Sequence, residues 1–213
     1  MKLFRKGIIV MIVFMVLAAS CATKGPTQRT EILDNKGAAM GIPTPQWVLA
    51  YVSGGNFAVE QLPEYKNQHC FVVSFNDASR DFAVSWVENA NGPALVAQMI
   101  STTVSTDAQA KMAGERGGEV SAAFKSATEA MSNASFTGLR RVADWWQIVR
   151  NRSTQVQEAQ AFALYSVEDR RLDEQIAINL ANIVENNKEL SAAERAIYND
   201  LIADIRANGF SNR

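Results

Sequence analysis

Apolar residues are spread unevenly along this chain. An uncharged, mostly aliphatic run from Gly7 to Ala19 opens it, and afterwards they return only in short groups separated by turn formers. Ala22 to Thr44 has little apolar periodicity and contains Gly25-Pro26, Lys36-Gly37, Gly41 and Pro43-Thr44-Pro45, the composition of a flexible tether. Ordered structure is expected to begin near Trp47. Trp47-Val48-Leu49-Ala50-Tyr51-Val52 is short and apolar on both sides, which predicts a strand or packed extended segment, broken by Ser53-Gly54-Gly55-Asn56. His69 to Phe75, rich in β-forming and small apolar residues and bounded by Asn67 and Asn76-Asp77, predicts a strand. Leu139 to Arg150 and Gln157 to Val167 predict a hairpin turning at Asn151-Arg152-Ser153-Thr154. In its second strand Phe162 and Leu164 should face one way, and Ala161, Ala163, Tyr165 and Val167 the other.

Helical spacing fills the remainder. Asp77 or Asn76 is placed to cap a helix on which Phe82, Trp86 and Ala90 lie four apart, with Ala83 and Val87 beside them. Asn91-Gly92-Pro93 interrupts it, and Pro93 suits the start of a second helix whose stripe is Leu95, Val96, Met99 and Ile100. Ser101 to Ser105 is Thr-rich and predicts a turn towards extended chain. Ala108 to Ser135 has a helical face in Val120, Phe124, Ala127 and Met131 but is weakened by Gly114, Gly117 and Gly118, and Gly138 ends it. Leu172, Ile176, Leu180 and Val184 line a further helix. Ser191 and Glu194 form a capping-box signature for the last, with Ile197, Leu201 and Ile205 facing the core and Gly209 at its stop. The pattern predicts an α+β domain, helices packed on a small, mostly antiparallel sheet, over residues 45–213.

The start of the chain changes where that domain is expected to work. Lys2, Arg5 and Lys6 precede the thirteen-residue run Gly7 to Ala19. That length fits a signal-peptide core and falls short of the roughly 20 apolar residues of a membrane span. Leu17-Ala18-Ala19-Ser20-Cys21 resembles a lipobox, with small residues before the cut and a cysteine after it. Leucine is usual where Ala18 stands, and here Leu17 lies one place earlier. Residues 1–20 are therefore expected to be removed and Cys21 to be lipidated. Residues 21–44 would form the lipidated tether. Several acyl chains, at about 0.8 kcal/mol per buried methylene, anchor stably where one chain does not. Ala22, rather than aspartate, after the cysteine implies the outer membrane by the sorting rule of such lipoproteins.

Composition adds exclusions. The whole chain carries 21 Lys and Arg against 22 Asp and Glu, and without Lys2, Arg5 and Lys6 the net charge is −4. A mildly acidic domain lacks the basic footprint of a nucleic-acid binder. Cys70 is the only other cysteine, so no intramolecular disulfide is expected once Cys21 is acylated.

The order of elements resembles the LPP-twenty-like family of small bacterial lipoproteins, related to the amino-terminal domain of a flagellar assembly protein. The features behind this are Pro45-Gln46-Trp47-Val48 after the tether and the strand, Ala-rich helix and Ser/Thr-rich end of Phe71 to Ser105. They continue with the Trp-containing strand Val142 to Val149, its partner ending in Ala161-Phe162-Ala163-Leu164-Tyr165, and a helix with Leu172. The likeness runs from about Trp47 to Leu180. Asn76-Asp77 replaces the family's glycine-rich turn, and Asn91-Gly92-Pro93 breaks a helix usually continuous. The resemblance implies an envelope lipoprotein of structural or partner-binding character and brings no catalytic residues.

The residues themselves argue against catalysis. His69 and Cys70 are neighbours on a predicted strand and should point to opposite faces, whereas a catalytic thiolate needs a base within reach. One histidine and one thiol do not supply a zinc site. Gly114-Glu115-Arg116-Gly117-Gly118 lacks the Lys-Ser/Thr of a phosphate loop. Asp77, Asp81 and Glu88 have no spacing that fixes a mechanism, and Asp169, Asp173, Glu168 and Glu174 suit charge at a helix start. No enzyme activity, metal or cofactor is expected. Trp145 and Trp146 should face opposite ways, leaving either one indole exposed or both covered by helices. With Trp47 and Tyr51 they form the candidate partner surface, for an envelope protein or a second copy. The alternative is an envelope ligand-binding module for peptidoglycan fragments or a small apolar molecule, which requires an enclosed pocket at Trp145 or Trp146.

Overall fold

A computed structural model describes residues 30–116 and 121–210 of the chain. Its four-stranded sheet is antiparallel throughout, in the order β1-β3-β4-β2. The strands are β1 (Thr30–Asn35), β2 (Gln68–Asp77), β3 (Arg140–Asn151) and β4 (Gln157–Glu168). Six helices surround it: α1 (Gln46–Glu60), α2 (Arg80–Asn89), α3 (Gly92–Arg116), α4 (Ala122–Met131), α5 (Asp169–Asn186) and α6 (Ala192–Asn208). The architecture is α+β, as the periodicity predicts.

Strict alternation on β4 divides the molecule into two cores. Ala159, Ala161, Ala163, Tyr165 and Val167 face one side with Phe71 and Val73 of β2, and there they meet the buried residues of α2 to α6. Phe162 and Leu164 face the other with Cys70, Val72 and Trp145, and are covered by Trp47, Val48 and Val59 of α1. One face of the sheet thus carries five helices and the other carries one. The small alanines of β4 let the larger side bring its helices close. Leu172, Ile176, Leu180 and Val184 of α5 and Ile197, Leu201 and Ile205 of α6 are all buried, as their spacing predicts.

Local chemistry explains most element ends. The α6 capping box forms, with Ser191 accepting from the Glu194 amide and Glu194 reaching back to the Ser191 amide. Gly209 closes α6 at φ 82°, in the region glycine tolerates. The hairpin turn is held by the Asn151 amide donating to the Val156 carbonyl, at 2.9 Å. Gly92, at the first position of α3, leaves room for the Tyr165 ring: a Cβ there would lie 2.0 Å from the Tyr165 hydroxyl.

Four expectations need correction. The stretch assigned to the tether contains β1, which pairs with β3 from Thr30↔Asn151 to Asn35↔Gln147. Its residues are largely exposed and a register shift falls between Ile32 and Asp34, so no two-residue alternation marked it. Residues 47–52 are helical. Trp47 and Tyr51, one turn apart, both reach Phe162, and the strand-breaking Gly54-Gly55 is instead a kink inside α1. The cap of α2 is Ser79, whose hydroxyl accepts from the Phe82 amide, while Asp77 accepts from the Ser79 amide. Residues 101–105 stay helical within α3. Ile100, Val104 and Ala108, four apart, are buried in the main core and hold the stretch helical, while the hydroxyls of Thr102, Thr103 and Thr106 are satisfied by carbonyls four residues back. Residues 1–29, including the signal segment and Cys21, and Gly117, Gly118 and Val120 lie outside the described residues.

Candidate functional site

Two neighbourhoods gather the polar and aromatic groups that the sequence singles out. The first surrounds His69, at the start of the edge strand β2. The strand's pleat sends His69 and Cys70 to opposite faces, as expected. Cys70 is fully buried in the α1-side core, and burial, then the nearby carboxylates of Glu60 and Asp169, push its thiol up to about 12. A thiol so far from ionising is a poor nucleophile. His69 lies instead among acids. Its Nδ1 is 3.4 Å from Glu60 at the end of α1, and its Nε2 is 3.1 Å from Asp173 and 3.9 Å from Asp169 on α5.

Burial alone would lower the His69 pKa, but hydrogen bonds to Asp173 and Glu60 outweigh it and raise the value to about 9. The imidazolium then donates from both nitrogens and ties α1, β2 and α5 together. Each carboxylate is shared further. Glu60 accepts from the Cys70 amide at 2.9 Å, and Asp173 accepts from the Phe210 amide at 2.8 Å. Asp169 and Asp173, expected to serve as charge at a helix start, thus also belong to this clasp. The Cys70 bond, with Val72 donating its amide to Asn56 at 2.9 Å, blunts the free edge of β2. The clasp joins elements far apart in sequence, and the only signal for it was an isolated histidine beside a β-rich run. Among the described residues no group of three or more His, Cys, Asp or Glu is arranged to hold a metal ion.

The second neighbourhood is aromatic. Trp47, Tyr51 and Trp145 converge on the α1 side of the sheet, with Trp47 and Tyr51 edge-on to Phe162 at 6.5 and 6.0 Å. Trp146 is on the opposite face, under the guanidinium of Arg80 at 5.1 Å. The four residues proposed as one partner surface are therefore split by the sheet. Trp47 and Trp145 are core side chains, 5 % and 6 % exposed, because α1 lays Trp47 on the sheet face that carries Trp145. Tyr51 and Trp146 keep partial exposure on different sides. Three buried polar atoms of the α1-side layer, Trp145 Nε1, Gln147 Oε1 and Ser166 Oγ, have no hydrogen-bond partner.

A cleft of about 740 Å³ runs between α3 and α6, lined among others by Thr102, Thr106, Lys111, Asp204 and Phe210. Lys111 and Asp204 pair across it at 2.7 Å. Neither Trp145 nor Trp146 lines this cleft. No helix of the described residues is long and apolar enough to cross a membrane.

Fold and site together define a small α+β domain with a buried electrostatic clasp and a tightly covered aromatic layer. No protein-family model, no curated protein and no solved structure matches the chain.

Proposed function

We propose that this chain is a bacterial envelope lipoprotein, exported by residues 1–20, acylated at Cys21 and held on the outer membrane, facing either the periplasm or the cell surface. Its domain then serves a noncatalytic structural or protein-binding role, with an envelope protein or a second copy as partner. The observation that carries this reading is Leu17-Ala18-Ala19-Ser20-Cys21 directly after a positively started thirteen-residue apolar run. The inert thiol of Cys70 and the use of the sole histidine as a clasp support the noncatalytic part. The resemblance to the LPP-twenty-like family supports the lipoprotein part. The alternative is an envelope ligand-binding module for peptidoglycan fragments or a small apolar molecule; the cleft between α3 and α6 offers space for one, and neither Trp145 nor Trp146 lines it.

The test is metabolic labelling with palmitate in cells producing the full chain, followed by detergent phase separation. The expected result is label on the parent, none on Cys21→Ala, and a shift of the variant to the aqueous phase. A parent that keeps Met1 and partitions into water would remove the anchor and the placement with it.

A further inference from the structure

The anchor reading has a geometric consequence for α1. Among the described residues this is the one α-helix on its side of the sheet, with Leu62 and Tyr65 of the following turn packed beside it, so its back is an outer surface of the domain. From Gly37 to Val59 the sequence has 23 consecutive residues without Asp, Glu, Lys or Arg. Its exposed positions, uncharged throughout, include Gln46 and Ser53 but also large apolar side chains: Leu49, Val52 and Phe57 are 40 %, 61 % and 48 % exposed, and Met40 and Ile42 just before the helix are 74 % and 46 % exposed. Scattered apolar residues on a surface are ordinary. Five in one charge-free stretch are not scattered, and α2 to α6 together expose only Phe82 and Ile178 among large hydrophobics.

The length of the tether says what covers this face. Only eight residues, Ala22 to Arg29, separate Cys21 from Thr30, where β1 begins. Fully extended they span at most about 30 Å. Three strand spacings separate β1 from β2, roughly 14 Å, so the layer over the sheet lies within the same reach. An anchored domain on so short a leash stays within about 30 Å of the bilayer, and an uncharged face can settle there without desolvating a charge.

We propose that the outward face of the first half of α1, Leu49 and Val52, with the exposed Met40 and Ile42 that precede it, lies in the interfacial layer of the membrane that holds the acyl chains. The proposal rests on acylation at Cys21. It orients the domain, with α1 down and the five-helix side, including the α3–α6 cleft, turned to the aqueous compartment.

The test uses the acylated chain in phosphatidylethanolamine/phosphatidylglycerol vesicles carrying a headgroup-depth spin-labelled lipid. Val52→Cys or, as control, Ile178→Cys on α5 is labelled with a fluorophore, Cys70 being fully buried. The expected result is quenching about threefold or more stronger at position 52 than at 178, matching insertion of an apolar face into the headgroup and acyl boundary. Vesicle flotation is measured in the same samples. Floating protein with equal or absent quenching at position 52 overturns the proposal and leaves the anchor intact. Protein that fails to float removes the anchor, and the orientation falls with it. Leu49→Cys repeats the measurement one turn away and should report the same contrast.

Discussion

His69 shows how one side chain can join distant parts of the chain. The group titrates near 6.5 in an unfolded chain and near 9 here. Because the folded value is the higher one, the native state holds the proton more tightly. The stability this contributes is fully present below about pH 6.5 and is lost as pH rises through about 9. Urea midpoints of the parent should therefore fall between these values, and those of His69→Gln should fall much less over the same window. A variant with an unchanged slope would show that other groups set the alkaline limit. Cys70, one residue on, is pushed up to about 12 by burial from an ordinary value near 9, so its own contribution is lost only above about pH 9. Neither property was written in the letters His69-Cys70. The pleat could be foreseen from the strand, but the carboxylates arrive from α1 and α5.

Among the elements, the start of α3 is shaped by one contact from β4. Asn91-Gly92-Pro93 marks a break in the sequence, and the structure adds why the middle residue has no side chain. The Tyr165 hydroxyl and ring occupy the space where a Cβ would stand, with the nearest ring carbon 2.1 Å away. Gly92→Ala must displace Tyr165 or the first turn of α3, and should destabilise the fold by about 1–3 kcal/mol by overpacking. Thermal unfolding of Gly92→Ala, alone and with Tyr165→Phe, checks this. The pair should recover only a small part of the loss, since the ring carbon 2.1 Å from the new Cβ remains when the hydroxyl is removed. The elements that the sequence misassigns share a cause. β1 is an exposed edge strand whose pairing with β3 overrides weak local preference, and α1 is a helix because Trp47, Tyr51 and Val48 must cover Phe162, Leu164 and Val72. The Thr-rich part of α3 stays helical because Ile100, Val104 and Ala108 on either side of it and within it are buried at helical spacing against the main core.

The whole molecule is a sheet with unequal coverings, and its two cores should respond differently to damage. Phe162 sits at the centre of the α1 side, 3 % exposed and edge-on to two aromatic rings. Phe162→Ala should cost about 3–5 kcal/mol. Hydrogen exchange should show α1 amides losing protection before those of α5 and α6, because α1 has no second helix beside it on its face. Uniform loss would mean that the sheet transmits the damage across both layers. The sequence by itself determined the α+β class, the hairpin of β3 and β4, the two facings of β4, the core stripes of α5 and α6 and the α6 capping box. Each is written in spacing of two or of three to four residues, or in a local cap, and needs no distant partner to be recognised. Tertiary packing alone made α1 a helix, joined β1 to the sheet, put Trp47 and Trp145 rather than Trp146 in the α1-side core, and closed the clasp of His69 with Glu60 and Asp173. Those outcomes depend on which surfaces meet, and burial against a distant partner outweighs the preference of a short segment.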